Sequence, residues 1–181
     1  MYSFFIMLLI MLVENAWGRY QFDLNSNDQK ETVRIISDGL SDGLQIEGET
    51  LSSPLVLKLP TEGVGAKAIE LLFRPINSQW NILAVKYQAG ITGAKLKHLS
   101  GRWLIYSFQV GKDLESYRQT LGPYYLQYKE FYPESYILRD YNLEFVDLDG
   151  NGVDDLVLKD GEKVQRVYHF MNANGSWRPA G

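Results

Sequence analysis

Short apolar segments recur along this chain, and residues that favour turns separate them about every ten residues. Segments of this length, with turn signals at regular intervals, are typical of a sheet, a sandwich or a barrel. One segment, residues 103–108, is apolar almost without a break, which predicts a central strand covered on both faces. The chain is therefore predicted to be mainly β and antiparallel, with strands over residues 32–36, 44–47, 54–59, 68–73, 80–88 and 102–110.

The last third of the chain has the clearest strand pattern. The pairs Asp160-Gly161 and Asn174-Gly175 occupy two of its connections. Such pairs favour tight hairpin turns because glycine accepts a positive φ. This part of the chain is predicted to form a β-meander, with strands over residues 142–146, 155–158, 164–170 and 176–178.

One segment has a helical pattern. Leu114, Tyr117 and Leu121 fall on one helical face, and a Gly-Pro pair follows them. Asp113 can accept hydrogen bonds from the first N–H groups of such a helix. The sequence predicts a helix from Asp113 to Leu121, and the fold class is a mainly β single domain with one or two short helices. The polar residues 19–30 are expected to form a loosely held arm.

Acidic side chains are concentrated between the first two strands of the meander. Asp147, Asp149 and Asn151 stand at alternate positions, Gly152 follows, and Asp155 lies four residues after Asn151. Carboxylates this close repel one another strongly unless a cation holds them, and a hard cation with oxygen ligands is the usual solution. The spacing matches calcium loops that begin D-x-[DN]-x-[DN]-G, in which position 7 contributes its carbonyl. The predicted calcium ligands are Asp147, Asp149, Asn151, the Val153 carbonyl and Asp155.

Two positions distinguish this loop from an EF-hand. Leu158 stands at position 12, where a bidentate Glu belongs. Asp154 stands at position 8, where an apolar residue normally pairs two EF-hand loops, and it is expected to face solvent or add charge. The flanking residues alternate or run apolar, as strands do, and have no helical pattern. The alternative to a cation site is an Asp/Gly-rich turn whose carboxylates stay apart in water.

The stretch from Phe145 to Val157, FVDLDGNGVDDLV, resembles the calcium loop of FG-GAP and VCBS repeats. Those repeats carry D-x-[DN]-x-[DN]-G-x-x-D-[LI] between two strands of a propeller-like blade. The resemblance covers about residues 143–178, implies the same five ligands, and occurs once. Because repeat blades need partners to bury their faces, one copy does not predict a full propeller. It predicts one calcium-stapled β-meander at the end of a larger domain.

The N-terminus predicts export. Residues 4–13 are all apolar, but ten helical residues rise only about 15 Å, half the thickness of the hydrocarbon core. Ala16 and Gly18 provide small residues for a cleavage site. Residues 1–18 are interpreted as a signal peptide, and residues 19–181 as one domain that is secreted or periplasmic. A buried N-terminal helix or strand is the alternative.

Composition narrows the chemistry. The chain has no cysteine, which excludes disulfides, thiol catalysis and cysteine zinc sites. Its formal net charge of −4 gives no electrostatic reason to expect nucleic-acid or anionic-membrane binding. Neither His98 nor His169 neighbours a Ser, Asp or His at the spacing of a triad or a zinc site. The sequence therefore predicts a protein that is not an enzyme.

Together these features predict an exported, non-catalytic calcium-binding β-domain that acts as a binding or interaction module. Its expected partner is another protein or a cell-surface component. A periplasmic enzyme inhibitor or immunity-type protein is the alternative. A glycan-acting hydrolase is a third possibility, with the tyrosines of residues 124–141 as stacking platforms.

Overall fold

The structure is a computed structural model that describes residues 18–60, 65–92, 97–121, 127–128 and 141–181. All but the last residue of the predicted signal peptide lies outside the described residues, as does most of the tyrosine-rich stretch 124–141. None of the helices in the described residues has the length and apolar character needed to cross a membrane.

The described strands form three antiparallel sheets that follow one another along the chain. The first sheet contains β1 (Arg19–Phe22), β2 (Glu31–Ser37), β3 (Asp42–Glu47) and β4 (Leu55–Lys58). The second contains β5 (Ala66–Pro75), β6 (Trp80–Thr92), β7 (Lys97–Gln109) and β8 (Arg118–Leu121), and the short β9 (Gln127–Tyr128) also pairs with β7. The third contains β10 (Tyr141–Val146), β11 (Asp155–Asp160), β12 (Lys163–Met171) and β13 (Ser176–Pro179). The mainly β, antiparallel fold class is confirmed.

Two apolar cores lie on opposite faces of the second sheet. Because side chains alternate along a strand, Leu104 and Tyr106 of β7 pack with residues of the first sheet. Trp103 and Ile105 pack instead with residues of the third sheet. The second sheet is therefore the middle of three layers, which confirms the prediction that residues 103–108 form a strand covered on both faces.

The helix predicted from Asp113 to Leu121 is wrong. The segment contains one turn of 3-10 helix, Leu114–Ser116, and then continues as β8 along the edge of β7. Asp113 makes no capping hydrogen bond with its side chain. The edge of β7 presents backbone N–H and C=O groups that need partners, and pairing with that edge outweighs a short helical pattern.

The N-terminal arm is not loosely held. Residues 19–22 form β1, which pairs with β2 so that Phe22 lies opposite Glu31. Phe22 stacks on Phe73 with ring centroids 5.0 Å apart. Leu24 is fully buried in the core between the first two sheets. The arm therefore belongs to the folded domain, and its connection to β2 is a structured loop.

Candidate cation site in the third sheet

The acidic loop connects β10 to β11, between two strands as the sequence predicted. Val146 and Asp155 face each other at its base. Gly150 and Gly152 have φ values of 75° and 79°, in the left-handed region that side chains rarely adopt. These two glycines allow the loop to curl back on itself over a short length.

Asp147, at loop position 1, is held by backbone groups of the loop. Its carboxylate accepts N–H groups from Gly152 at 2.8 Å, Gly150 at 2.8 Å and Asn151 at 3.1 Å. These hydrogen bonds, that from Gly152 most of all, hold the pKa of Asp147 below its usual value. The carboxylate is therefore ionised at neutral pH and fixed within the loop.

Loop positions 3, 5 and 7 are linked by short-range hydrogen bonds. Asp149 Oδ1 accepts the N–H of Asn151 at 3.1 Å, and Asn151 Oδ1 accepts the N–H of Val153 at 2.8 Å. The side chain of Val153 packs against the core between the second and third sheets. That contact anchors the far side of the loop to the rest of the domain.

Asp155, at position 9, is the buried member of the loop, with 1% of its surface exposed. Its Oδ2 accepts the N–H of Leu148 at 3.1 Å. Its Oδ1 lies 2.8 Å from Nδ1 of His169 on β12. Asp149, Asp155 and His169 each offer a ligand atom, and these atoms lie within 4.8 Å of one another.

Sequence reasoning missed His169 because the residues that meet across a hairpin are distant along the chain. β11 and β12 pair with Leu156 opposite Tyr168. That register carries His169 to the side of Asp155. The Asp160-Gly161 turn was the sequence signal that could have aligned the two strands. The other histidine, His98, belongs to β7 opposite Ile91 on β6.

Asp154, the additional acidic residue, does not belong to the cluster around Asp155. It forms an ion pair with Arg74 of β5, in which Nε donates to Oδ2 at 2.6 Å. Both side chains are partly exposed, and the pair links the acidic loop to the second sheet. Asp154 therefore connects two sheets, where the sequence suggested a side chain facing solvent or adding charge.

The described residues combine two carboxylates with an imidazole at the base of the loop. Calcium takes six to eight oxygen ligands, and a nitrogen ligand favours zinc or other transition metals. His169 can act in two ways, since its ring can orient Asp155 by a hydrogen bond or bind the ion itself. The arrangement fits a divalent cation, and the role of His169 decides which class of cation.

Comparisons with models of protein families, with curated proteins and with solved structures find no match to this chain. The resemblance to the FG-GAP and VCBS loops stays a prediction that rests on the residues of the loop.

Proposed function

We propose that the chain is an exported, non-catalytic β-domain in which calcium orders the loop 147–155, and that it binds another protein or a cell-surface component. The observation that supports this most directly is the approach of Asp149, Asp155 and His169 to within 4.8 Å at the base of a loop with calcium-loop spacing. Export is proposed from the apolar segment at residues 4–13.

A cation would relieve an unfavourable arrangement of charge. Asp155 is almost fully buried, and the ionised Asp147 and the nearby Asp149 add negative charge to the same loop. Burying a carboxylate is costly unless it is paired or coordinates a metal, and the N–H of Leu148 and the ring of His169 offset part of that cost at Asp155. A cation that binds the folded chain alone would stabilise it by about 2.7 kcal/mol at a hundredfold excess over the dissociation constant.

Apolar side chains where β10 meets the loop support a role in binding. Val146 and Leu148 flank Asp147, and both are exposed. Exposed apolar side chains next to an ordered loop provide contacts for a partner. In this proposal calcium fixes the loop, and the fixed loop presents Leu148.

Asp149→Asn is expected to remove most of the stabilisation by calcium. In the wild type, saturating calcium should raise the melting temperature by on the order of 5–10 °C relative to EGTA. Asp149→Asn removes one charged ligand without changing the size of the side chain, so its shift should be small. Thermal unfolding of the full chain, with and without calcium, measures both.

Asp154→Asn is the matched control, since it removes the same charge one residue from Asp155 but outside the cluster. It should lose up to about 1 kcal/mol of basal stability with the Arg74 pair, and keep the calcium shift. If the melting temperature of the wild type is the same in calcium and in EGTA, the cation site is overturned. If Asp149→Asn and Asp154→Asn lose the calcium-induced rise in melting temperature equally, the effect depends on the net charge of the loop and not on Asp149 as a ligand.

His169→Gln separates the two roles of the histidine. If His169 only orients Asp155, the variant should keep most of the calcium shift. If its ring is a ligand, zinc should stabilise the wild type more than calcium does, and the variant should lose that preference.

Leu148→Asp tests the binding module independently of the ion. Immobilised wild type in calcium should retain a partner from the surface or exported protein fraction, and the variant should lose it. A partner retained equally by both would place the contact elsewhere.

A further inference from the structure

The loop between β1 and β2 occupies the same place in the first sheet as the acidic loop does in the third. Each joins the first and second strands of a four-stranded meander, over residues 23–30 in one case and 147–154 in the other. The strands meet equivalently at the base, with Phe22 opposite Glu31 and Val146 opposite Asp155. The two loops can therefore be compared position by position.

Position 1 makes two of its hydrogen bonds in the same way in both loops. Asp23 Oδ1 accepts the N–H of Asn27 at 3.0 Å, and Asp23 Oδ2 accepts the N–H of Asp28 at 3.0 Å. Asp147 receives the N–H groups of Asn151 and Gly152 with the same two oxygens. The carboxylate at position 1 thus binds the amides of positions 5 and 6 in each case.

Positions 5 and 9 repeat as well. Asn27 Oδ1 accepts the N–H of Gln29 at 2.9 Å, as Asn151 does from position 7 of its own loop. Glu31 Oε2 accepts the N–H of Leu24 at 2.8 Å, the bond that Asp155 makes with position 2. Four of the six hydrogen bonds from backbone N–H groups to side-chain oxygens in the acidic loop therefore recur in the loop between β1 and β2. The acidic sequence itself occurs once.

The backbone of the loop between β1 and β2, called here the first loop, also has the same left-handed positions as the acidic loop. Ser26 and Asp28 have φ values of 52° and 65°, at the positions held by glycine in the acidic loop. Residues with a Cβ adopt this region only at an energetic cost. The first loop therefore has this backbone shape without glycine at either position. Because Asp28 stands where the motif has glycine, a search with the motif does not find the loop.

Two buried amide oxygens at this loop have no hydrogen-bond partner among the described residues. Asn25, at position 3, is 5% exposed, and its Nδ2 donates to the carbonyl of Lys112 while Oδ1 is unpartnered. Asn81 of β6 is 1% exposed, and its Nδ2 reaches into the loop to the carbonyl of Leu24 at 3.0 Å and to Ser26 Oγ at 2.8 Å. Its Oδ1 is unpartnered too.

A buried acceptor without a partner destabilises the fold, and a bound cation satisfies such an oxygen as well as a donor does. We propose that the first loop is a second site for a hard divalent cation of the calcium class. Of the two unpartnered oxygens, Oδ1 of Asn25 belongs to the ligand set and Oδ1 of Asn81 does not. The other ligands are the side-chain oxygens of Asp23, Asn27 and Glu31 and the carbonyl of Gln29.

The first loop should bind more weakly than the acidic loop. It has neutral amides at positions 3 and 5, and its ligand set carries two carboxylates, Asp23 and Glu31, where the acidic loop has Asp147, Asp149 and Asp155. The affinity of calcium loops depends on the number of charged ligands. The proposal does not depend on a cation in the acidic loop, because the two loops lie in different sheets.

Calorimetric titration of the full chain with calcium tests the second site. The wild type should bind two ions, the weaker of which is lost in Asp23→Asn and the tighter in Asp149→Asn. One ion that is lost in Asp149→Asn and kept in Asp23→Asn would overturn the second site and leave the proposed function standing. One ion with the opposite dependence would support the second site and overturn the first. No bound ion would overturn both.

A gain of affinity guards against variants that fail to fold. In the Asp149→Asn background, Asn27→Asp adds charge at a ligand position and should tighten the remaining site by about tenfold or more. Gln29→Glu is the matched control, since it adds the same charge to an exposed side chain at a position that contributes only its carbonyl. It should change the affinity by less than about threefold. Equal effects of the two substitutions would overturn the assignment of Asn27 as a ligand.

Discussion

Ile105→Ala is expected to lower the free energy of unfolding by about 2–5 kcal/mol. Ile105 is fully buried near the centre of β7 and packs in the core between the second and third sheets. β6 and β8 are hydrogen-bonded to β7 on its two sides. The surrounding backbone therefore cannot close the cavity that alanine leaves, and most of the cost should persist.

Ile69→Ala provides the control for this cavity. Ile69 lies on β5 of the same sheet, but 48% of its surface is exposed. The same substitution there should cost less than about 1 kcal/mol, mainly through strand propensity. Urea unfolding of both variants measures the difference. Similar losses at the two positions would contradict a middle layer that is covered on both faces.

Gly175→Ala is expected to lower the free energy of unfolding by about 2–4 kcal/mol, from a left-handed backbone and an overpacked contact together. Gly175 lies in the turn between β12 and β13 with a φ of 65°. A Cβ there would come within 2.5–2.7 Å of three atoms of the Trp80 ring. Trp80 cannot easily move, because its Nε1 donates to the carbonyl of Asn172 at 2.9 Å and its ring packs edge-on against Phe170.

Gly161→Ala isolates the backbone part of that cost. Gly161 has a φ of 59° in the turn between β11 and β12, and nothing lies within 4 Å of the position its Cβ would take. Its variant should lose about 1–2 kcal/mol. The additional loss of stability in Gly175→Ala, relative to Gly161→Ala, measures the cost of the contact with Trp80. Equal losses of stability in Gly175→Ala and Gly161→Ala would show that Trp80 can move away from the new Cβ without an energetic cost.

The strand pattern could be predicted from the sequence because it is a local property. Apolar runs bounded by turn residues located every strand of the third sheet, and the run at residues 103–108 indicated burial on both faces. The segment after Asp113 could not be predicted in this way. Three apolar residues at helical spacing are weak local evidence, and the open edge of β7 decided its structure.

The same distinction applies to the candidate sites. The spacing of Asp147, Asp149 and Asp155 is visible in the sequence, so the acidic loop was placed correctly between two strands. His169 was not visible, because its position beside Asp155 depends on the strand register and on a bulge between Leu158 and Lys159. The first loop also carries Asp or Asn at positions 1, 3 and 5, but Asp28 stands where the motif has glycine. Its likeness to the acidic loop therefore became clear only from its hydrogen bonds.

The order of the three sheets along the chain has a consequence for folding. Apart from the short β9, which pairs with β7, the strands of each sheet pair with their neighbours in sequence, and such local contacts form quickly. Among the described residues, however, one face of the second sheet is covered by the third sheet. Ile82, Trp103 and Ile105 lie on that face and pack with residues of β11, β12 and β13. An apolar sheet face that is not yet covered is the kind of surface on which chains associate. Synthesis of the last four strands therefore favours folding over aggregation.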